Sequence, residues 1–205
     1  MAQFIFGFAI FIFSVVIHEV AHGEAAYRLG DDTAHRLGRL TLNPLAHIDP
    51  FGSVILPLLL ALPLLFGQTP MIVGWAKPVP YDPRRLKRPQ RDAGLIALAG
   101  PTTNILIAIV FAGLEGISRG NAALGTAFDY VIVINLTLAI FNMVPIPPLD
   151  GSKVLAAILP PRSSVMDFLE RNSWILLIAF IVFGLDLVQQ LVSVAYGILL
   201  AIAGR

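Results

Sequence analysis

Apolar residues along this chain gather into five long runs set apart by polar connections, at 4–21, 51–66, 93–114, 128–144 and 174–203. A helix crosses a bilayer core with about 20 mostly apolar residues, so these runs predict membrane helices. The second run is the weakest, with sixteen residues that include Pro57 and Pro63. The last is about 30 residues long and is interrupted by Asp186, Gln189 and Gln190. At ~1.5 Å per residue it outruns one bilayer core, and reads either as one long tilted helix or as a span with a returning segment. The first run resembles a secretory signal peptide in length. However, Met1-Ala2-Gln3 places no positive charge ahead of it, and it ends in His18, Glu19 and His22. It reads as a helix kept in the mature protein. The connections 23–50, 67–92, 115–127 and 145–173 are each too short for a separate soluble domain, so 1–205 reads as a single domain.

Composition agrees. Hydrophobic residues make up 57% of the chain and charged residues 13%, with a mean hydropathy of +0.80. That charge content is about half the roughly 25% of soluble globular domains, which excludes an ordinary cytosolic enzyme, a coiled coil and a disordered chain. A net charge of +1 offers no basic face for nucleic acid. With no cysteine, a transition metal could be held only by His, Asp or Glu.

The first helix carries His18-Glu19-Val20-Ala21-His22. Positions i and i+4 share one helical face, so both imidazoles can converge on one ion, and the glutamate at i+1 lies beside that face. In this pattern two His bind zinc and Glu serves as general base. Two His capping a helix end at the interface is the structural alternative, but ionisable groups within a membrane span are functional by default. A catalytic zinc wants a third protein ligand. His35, His47 and a carboxylate are the candidates, and Asp150 stands out among the acids. It closes Asn142-Met143-Val144-Pro145-Ile146-Pro147-Pro148-Leu149-Asp150-Gly151, where the prolines free backbone carbonyls that membranes tolerate only inside protein or beside water. A plain Pro-rich exit loop with an Asp-Gly turn explains the same residues equally well.

Together, HExxH in one membrane helix and NxxPxPxLDG in a later one resemble the site-2 protease family of intramembrane zinc metalloproteases. Ala99-Gly100-Pro101-Thr102-Thr103-Asn104 is similar to the Gly-Pro segment of its intervening helix. The resemblance covers residues 4 to about 155 and fits a short form without PDZ or CBS domains. It implies one catalytic Zn2+ with His18, His22 and Asp150 as ligands, Glu19 as catalytic base, and Asn142 in a substrate-positioning or oxyanion role. The implied substrates are transmembrane segments of other proteins, cut for regulated release of a tethered factor or for clearance of signal-peptide remnants. The fold expected is all-α: a polytopic membrane helix bundle with a re-entrant segment and a short extended, β-like membrane-associated loop. A membrane metal-ion transporter and a non-catalytic scaffold are the competing functions. The single dense polar site, with a base between its histidines, weighs against the first, and the intact motif against the second. Natural substrate, activating signal and oligomeric state stay open.

One zinc must reach both motifs, and both lie toward the C-terminal ends of their helices. Those helices therefore run the same way, with an odd number of crossings between them. The proline-broken 51–66 stretch is thus expected to dip in and return. Residues 23–92 and 145–173 then share a side and hold twelve of the fourteen Lys and Arg. Lys/Arg-rich short loops mark the cytoplasm, so the site is expected toward the cytoplasm of the cell membrane, with the N-terminus outside. Within 74–80, Pro78 and Pro80 suit an extended edge that could hold a substrate by main-chain bonds, or an interfacial loop anchored by Trp75 and Lys77. Residues 43–50 combine His47 and Asp49 but read better as a turn-rich loop than as a second metal site. The basic run Arg84, Arg85, Lys87, Arg88 and Arg91 reads as an anchor to anionic lipid.

Overall fold

The first apolar run folds without interruption into α1 (Ala2–Arg28). Its 27 residues span about 40 Å, more than a bilayer core of roughly 30 Å. The last turn therefore stands outside the apolar layer, where Arg28 pairs with Glu24 at 2.8 Å. The chain is seen in a computed structural model that describes residues 2–55, 58–59, 62, 77–115, 121–161 and 163–204. A short α2 (Thr33–Arg36) follows α1. The long helices α3 (Pro89–Leu114) and α4 (Ala122–Asn142) come next, then α5 (Asp150–Ile158) and α6 (Ser164–Arg171). The last run divides at Gly184 into α7 (Ser173–Phe183) and α8 (Leu185–Ile202), so it is two helices, with Asp186 in the first turn of the second. α1, α3, α4 and α8 are long and apolar enough to cross a membrane.

Helix ends follow local rules. Pro89 opens α3, and Asp92 in its first turn accepts the Arg88 backbone N–H at 2.9 Å. Asn121 caps α4 by accepting the Leu124 N–H at 3.1 Å. Between the long helices, Ala108 and Ala112 of α3 pack with Ile132 and Leu136 of α4 and Val188 and Val192 of α8. Small side chains on α3 let the backbones approach, the usual basis of helix packing in lipid. Large apolar residues such as Leu106, Val110, Ile178, Phe183 and Ile198 point outward, as a lipid-facing surface requires.

Side-chain contacts fix the helix directions. Passing along α1 from His18 to His22, the partners on α3 step backward from Asn104 to Ile96, so these helices are antiparallel. Passing from Ser14 to His18, the partners advance from Asn135 on α4 to Asp150 just beyond it, so α1 and α4 are parallel. That is the direction expected from two motifs sharing one centre. The expected fold class holds: among the described residues the chain is all-α, with no strand. The re-entrant segment expected at 51–66 falls mostly outside the described residues; at its start Pro50–Ile55 forms wide π-type turns. Residues 74–76 of the expected extended loop also fall outside, while 77–80 adopt no regular helix or turn.

Candidate metal centre

Ser14, His18 and His22 recur at every fourth position of α1, a polar stripe down an apolar helix that faces α3 and α4. At the end of that stripe, His18 Nε2 and His22 Nε2 lie 3.0 Å apart, and each is 3.1 Å from Asp150 Oδ2. All three residues are buried. They form the one group among the described residues whose ligand atoms could share a metal ion. Asp150 enters as the first residue of α5, and its other oxygen faces Lys153 Nζ at 3.5 Å.

The hydrogen bonds behind the triangle fix which ring nitrogens are free. The Val131 carbonyl can only accept, so Asn135 presents Nδ2 to it, at 2.8 Å, and to Ser14 Oγ at 3.0 Å. Asn135 Oδ1 must then accept from Asn104 Nδ2, at 2.7 Å. Asn104 Oδ1 accepts in turn from His18 Nδ1–H at 2.6 Å. The Ile96 carbonyl likewise takes His22 Nδ1–H at 2.7 Å. Both Nε2 atoms are left as lone-pair donors aimed at one point beside a carboxylate oxygen. Three such acceptors at this separation repel one another unless a cation or protons lie among them. A tetrahedral zinc with bonds of about 2.0–2.1 Å sets its ligand atoms roughly 3.3 Å apart, within a few tenths of an ångström of this triangle. The donor set suits zinc, and each imidazole has the outer hydrogen bond that metal-binding histidines need.

Gly100 makes room for the rings: a Cβ there would lie 2.6 Å from His18 Nε2 and from His22 Nε2. Pro101 next to it removes one helical N–H without breaking α3. Glu19, beside the triangle, accepts the Val79 backbone N–H on Oε2 at 2.8 Å.

The other expected residues fall elsewhere. His35 stacks on Tyr27. His47 is buried and donates Nε2–H to the Thr41 carbonyl at 2.9 Å. Asp49 accepts the backbone N–H groups of Phe51 and Gly52, and Asn43 that of Leu45, as in a turn-rich loop. Asn142 gives its amide N–H to the Leu138 carbonyl at 2.9 Å, and among the described residues no hydrogen bond joins it to the triangle. Sequence reasoning gave no role to Asn104, Asn135 or Ser14. Their signal was polar residues inside apolar spans, Ser14 in step with the two histidines and Asn104 four residues after Gly100.

Such a centre, set among the ends of membrane helices, fits the class of membrane-embedded zinc metalloproteases. Residues 117–184 match the profile of Peptidase family M50, covering α4, Asp150 and the helices up to Gly184. YwhC of Bacillus subtilis (strain 168), provisionally named a zinc metalloprotease, is 37% identical over 159 residues, 73% of this chain and 67% of that protein. MJ0611 of Methanocaldococcus jannaschii, named in the same way, is 33% identical over 157 residues, 73% of this chain and 72% of that protein. Rip2 of Mycolicibacterium smegmatis, likewise, is 29% identical over 162 residues, and the chain spans 60% of its length. No solved structure matches the chain. This chain belongs to peptidase family M50, the site-2 protease family, and is a zinc metalloprotease of the membrane.

Proposed function

We propose that this chain is an intramembrane endopeptidase that hydrolyses peptide bonds in or near transmembrane segments of other membrane proteins. The observation that carries this is the convergence of His18, His22 and Asp150 at 3.0–3.1 Å, with Glu19 alongside, at one end of parallel membrane helices. In this reading His18 Nε2, His22 Nε2 and Asp150 Oδ2 hold the metal. Bound there, zinc supplies Lewis acidity, easing the deprotonation of water and polarising a peptide carbonyl. Glu19 takes a proton from the attacking water on Oε1, the oxygen not bonded to Val79, and passes it to the leaving amine. The amide N–H of Asn142 not given to Leu138 positions the substrate carbonyl. His18 and His22 keep their Nε2 lone pairs free because Asn104 and Ile96 hold the Nδ1 protons.

Residues 1–205 act as a single domain in the cell membrane. The Lys/Arg-rich connections 23–92 and 145–173 support a centre toward the cytoplasm with the N-terminus outside. Regulated release of a tethered factor, or clearance of signal-peptide remnants, is the role that fits such a position.

Replacing Glu19 with Gln tests the function. Zinc content should be retained while cleavage of a co-reconstituted transmembrane peptide is lost. Unimpaired cleavage would remove Glu19 as base, and a metal flux that survives the change would favour transport. A cysteine at Gln68, probed with an impermeant reagent, should label only from the cytoplasmic side; labelling from outside would overturn the topology.

A further inference from the structure

We infer that the Val79 backbone N–H, held by an anchored strap over residues 77–86, is a positioning element that sets the Glu19 carboxylate for proton transfer. The inference rests on Glu19 being the general base. From the sequence, 74–80 read either as an edge free to pair with a substrate strand or as an interfacial loop. In the structure the donors of its described part are already committed. Pro78 and Pro80 have no N–H, Lys77 N–H goes to the His47 carbonyl at 2.8 Å, and Val79 N–H goes to Glu19 Oε2 at 2.8 Å. The Lys77 carbonyl is also taken, by the Arg39 guanidinium at 2.8 Å.

The strap is fixed along its length. The Val79 side chain is buried against Gly23, one turn beyond Glu19 on α1, where a Cβ would come within 2.7 Å of Val79 Cγ1. Asp82 N–H is held at 2.6 Å by Asp31, which is fully buried and also bonds Thr33. Arg85 pairs with Asp32, and Leu86 packs with Ala26 and Ile96. Ile96 is also the residue whose carbonyl holds His22. One rigid segment thus joins the base, the end of α1 and the start of α3.

A glutamate has three rotatable side-chain bonds, and its carboxylate oxygens exchange freely unless one is tied. With Oε2 bonded to a backbone anchored on both sides, Oε1 is held toward one direction. A misplacement of about 1 Å in such a group costs on the order of a hundredfold in rate.

The test uses the full-length protein reconstituted in lipid. Val79→Pro deletes the N–H and keeps extended backbone; kcat should fall about ten- to hundredfold, with KM and zinc content unchanged. Val79→Ala, which keeps the N–H, should restore most of the rate. A Val79→Pro protein with wild-type or higher kcat overturns the inference, and if Glu19→Gln is inactive in the same assay, the base itself stands. Activity in Glu19→Gln instead removes the base, and the inference with it. Should Val79→Pro fail to fold, hydrogen exchange decides. Val79 carries the only exchangeable backbone amide in 78–80, and its protection should be lost in Glu19→Ala. Equal exchange in wild type and Glu19→Ala overturns the inference.

Discussion

Replacing Asn104 with Leu should weaken zinc binding by a mechanism distinct from its effect on stability. The side chain is completely buried among α1, α3 and α4, and Leu is close to it in volume, so packing is largely kept. Two close partners lose their bonds, His18 Nδ1–H at 2.6 Å and Asn135 Oδ1 at 2.7 Å, besides the long 3.5 Å bond to the Ser14 carbonyl. A buried polar group left unsatisfied costs about 1–3 kcal/mol, so the two together should destabilise the bundle by about 2–6 kcal/mol. His18 can relieve its own orphan by moving the proton to Nε2, but that nitrogen then no longer donates a lone pair. Loss of such an outer hydrogen bond typically costs ten- to hundredfold in metal affinity, about 1.4–2.7 kcal/mol. Zinc affinity by chelator competition, and unfolding of the detergent-solubilised protein, measure the two effects separately. Asn104→Leu combined with Asn135→Leu and Ser14→Ala removes the second orphan without leaving the buried Ser14 hydroxyl unpaired, so stability should recover in part while zinc affinity stays low. Zinc affinity of Asn104→Leu within threefold of wild type would refute the role given to the Asn135–Asn104–His18 chain.

Three further outcomes are expected. Gly100→Ala places a methyl against both imidazoles and should lose zinc with helical content by circular dichroism unchanged; full zinc occupancy would count against the geometry. Tyr196→Phe removes a bond of 2.5 Å from Tyr196 Oη to Asp129 Oδ1 between α8 and α4, and should cost about 1.5–3 kcal/mol in unfolding without changing zinc content. Stripping zinc with a chelator should lower the unfolding temperature of wild type and leave Asp150→Ala nearly unmoved, because a ligand that binds only the folded state stabilises by mass action.

Much of this protein was legible along the chain because the bilayer is an uncompromising solvent. Apolar runs of about the length of a bilayer core can fold there only as helices, which predicted α1, α3, α4 and the last run from length and composition alone. The same solvent makes ionisable groups costly, so His18, Glu19 and His22 stood out where a soluble protein would have hidden them among many. Their spacing of four told that two imidazoles share a face. The parallel run of α1 and α4 also followed, from two motifs that had to meet.

Only the tertiary structure decided the rest, since it depends on contacts between residues far apart in sequence. Spacing left His35, His47 and Asp150 open as third ligand and only the family resemblance pointed to Asp150; the fold brings Asp150 to the histidines from 132 and 128 positions away, and not His35 or His47. The free Nε2 of His18 is set by a chain of amides ending at the Val131 carbonyl, and no local pattern announces that chain. The break at Gly184 was one of two readings until α7 and α8 were seen as separate helices. The donors in the described part of the expected edge, Lys77 and Val79, turned out to be spent on His47 and Glu19, because a backbone N–H bonds whatever acceptor the fold brings to it. The sequence by itself determined the solvent, the helices and the chemistry available. Packing determined which of those groups meet, because a hydrogen bond or a metal triangle is settled over a few ångströms that sequence distance does not measure.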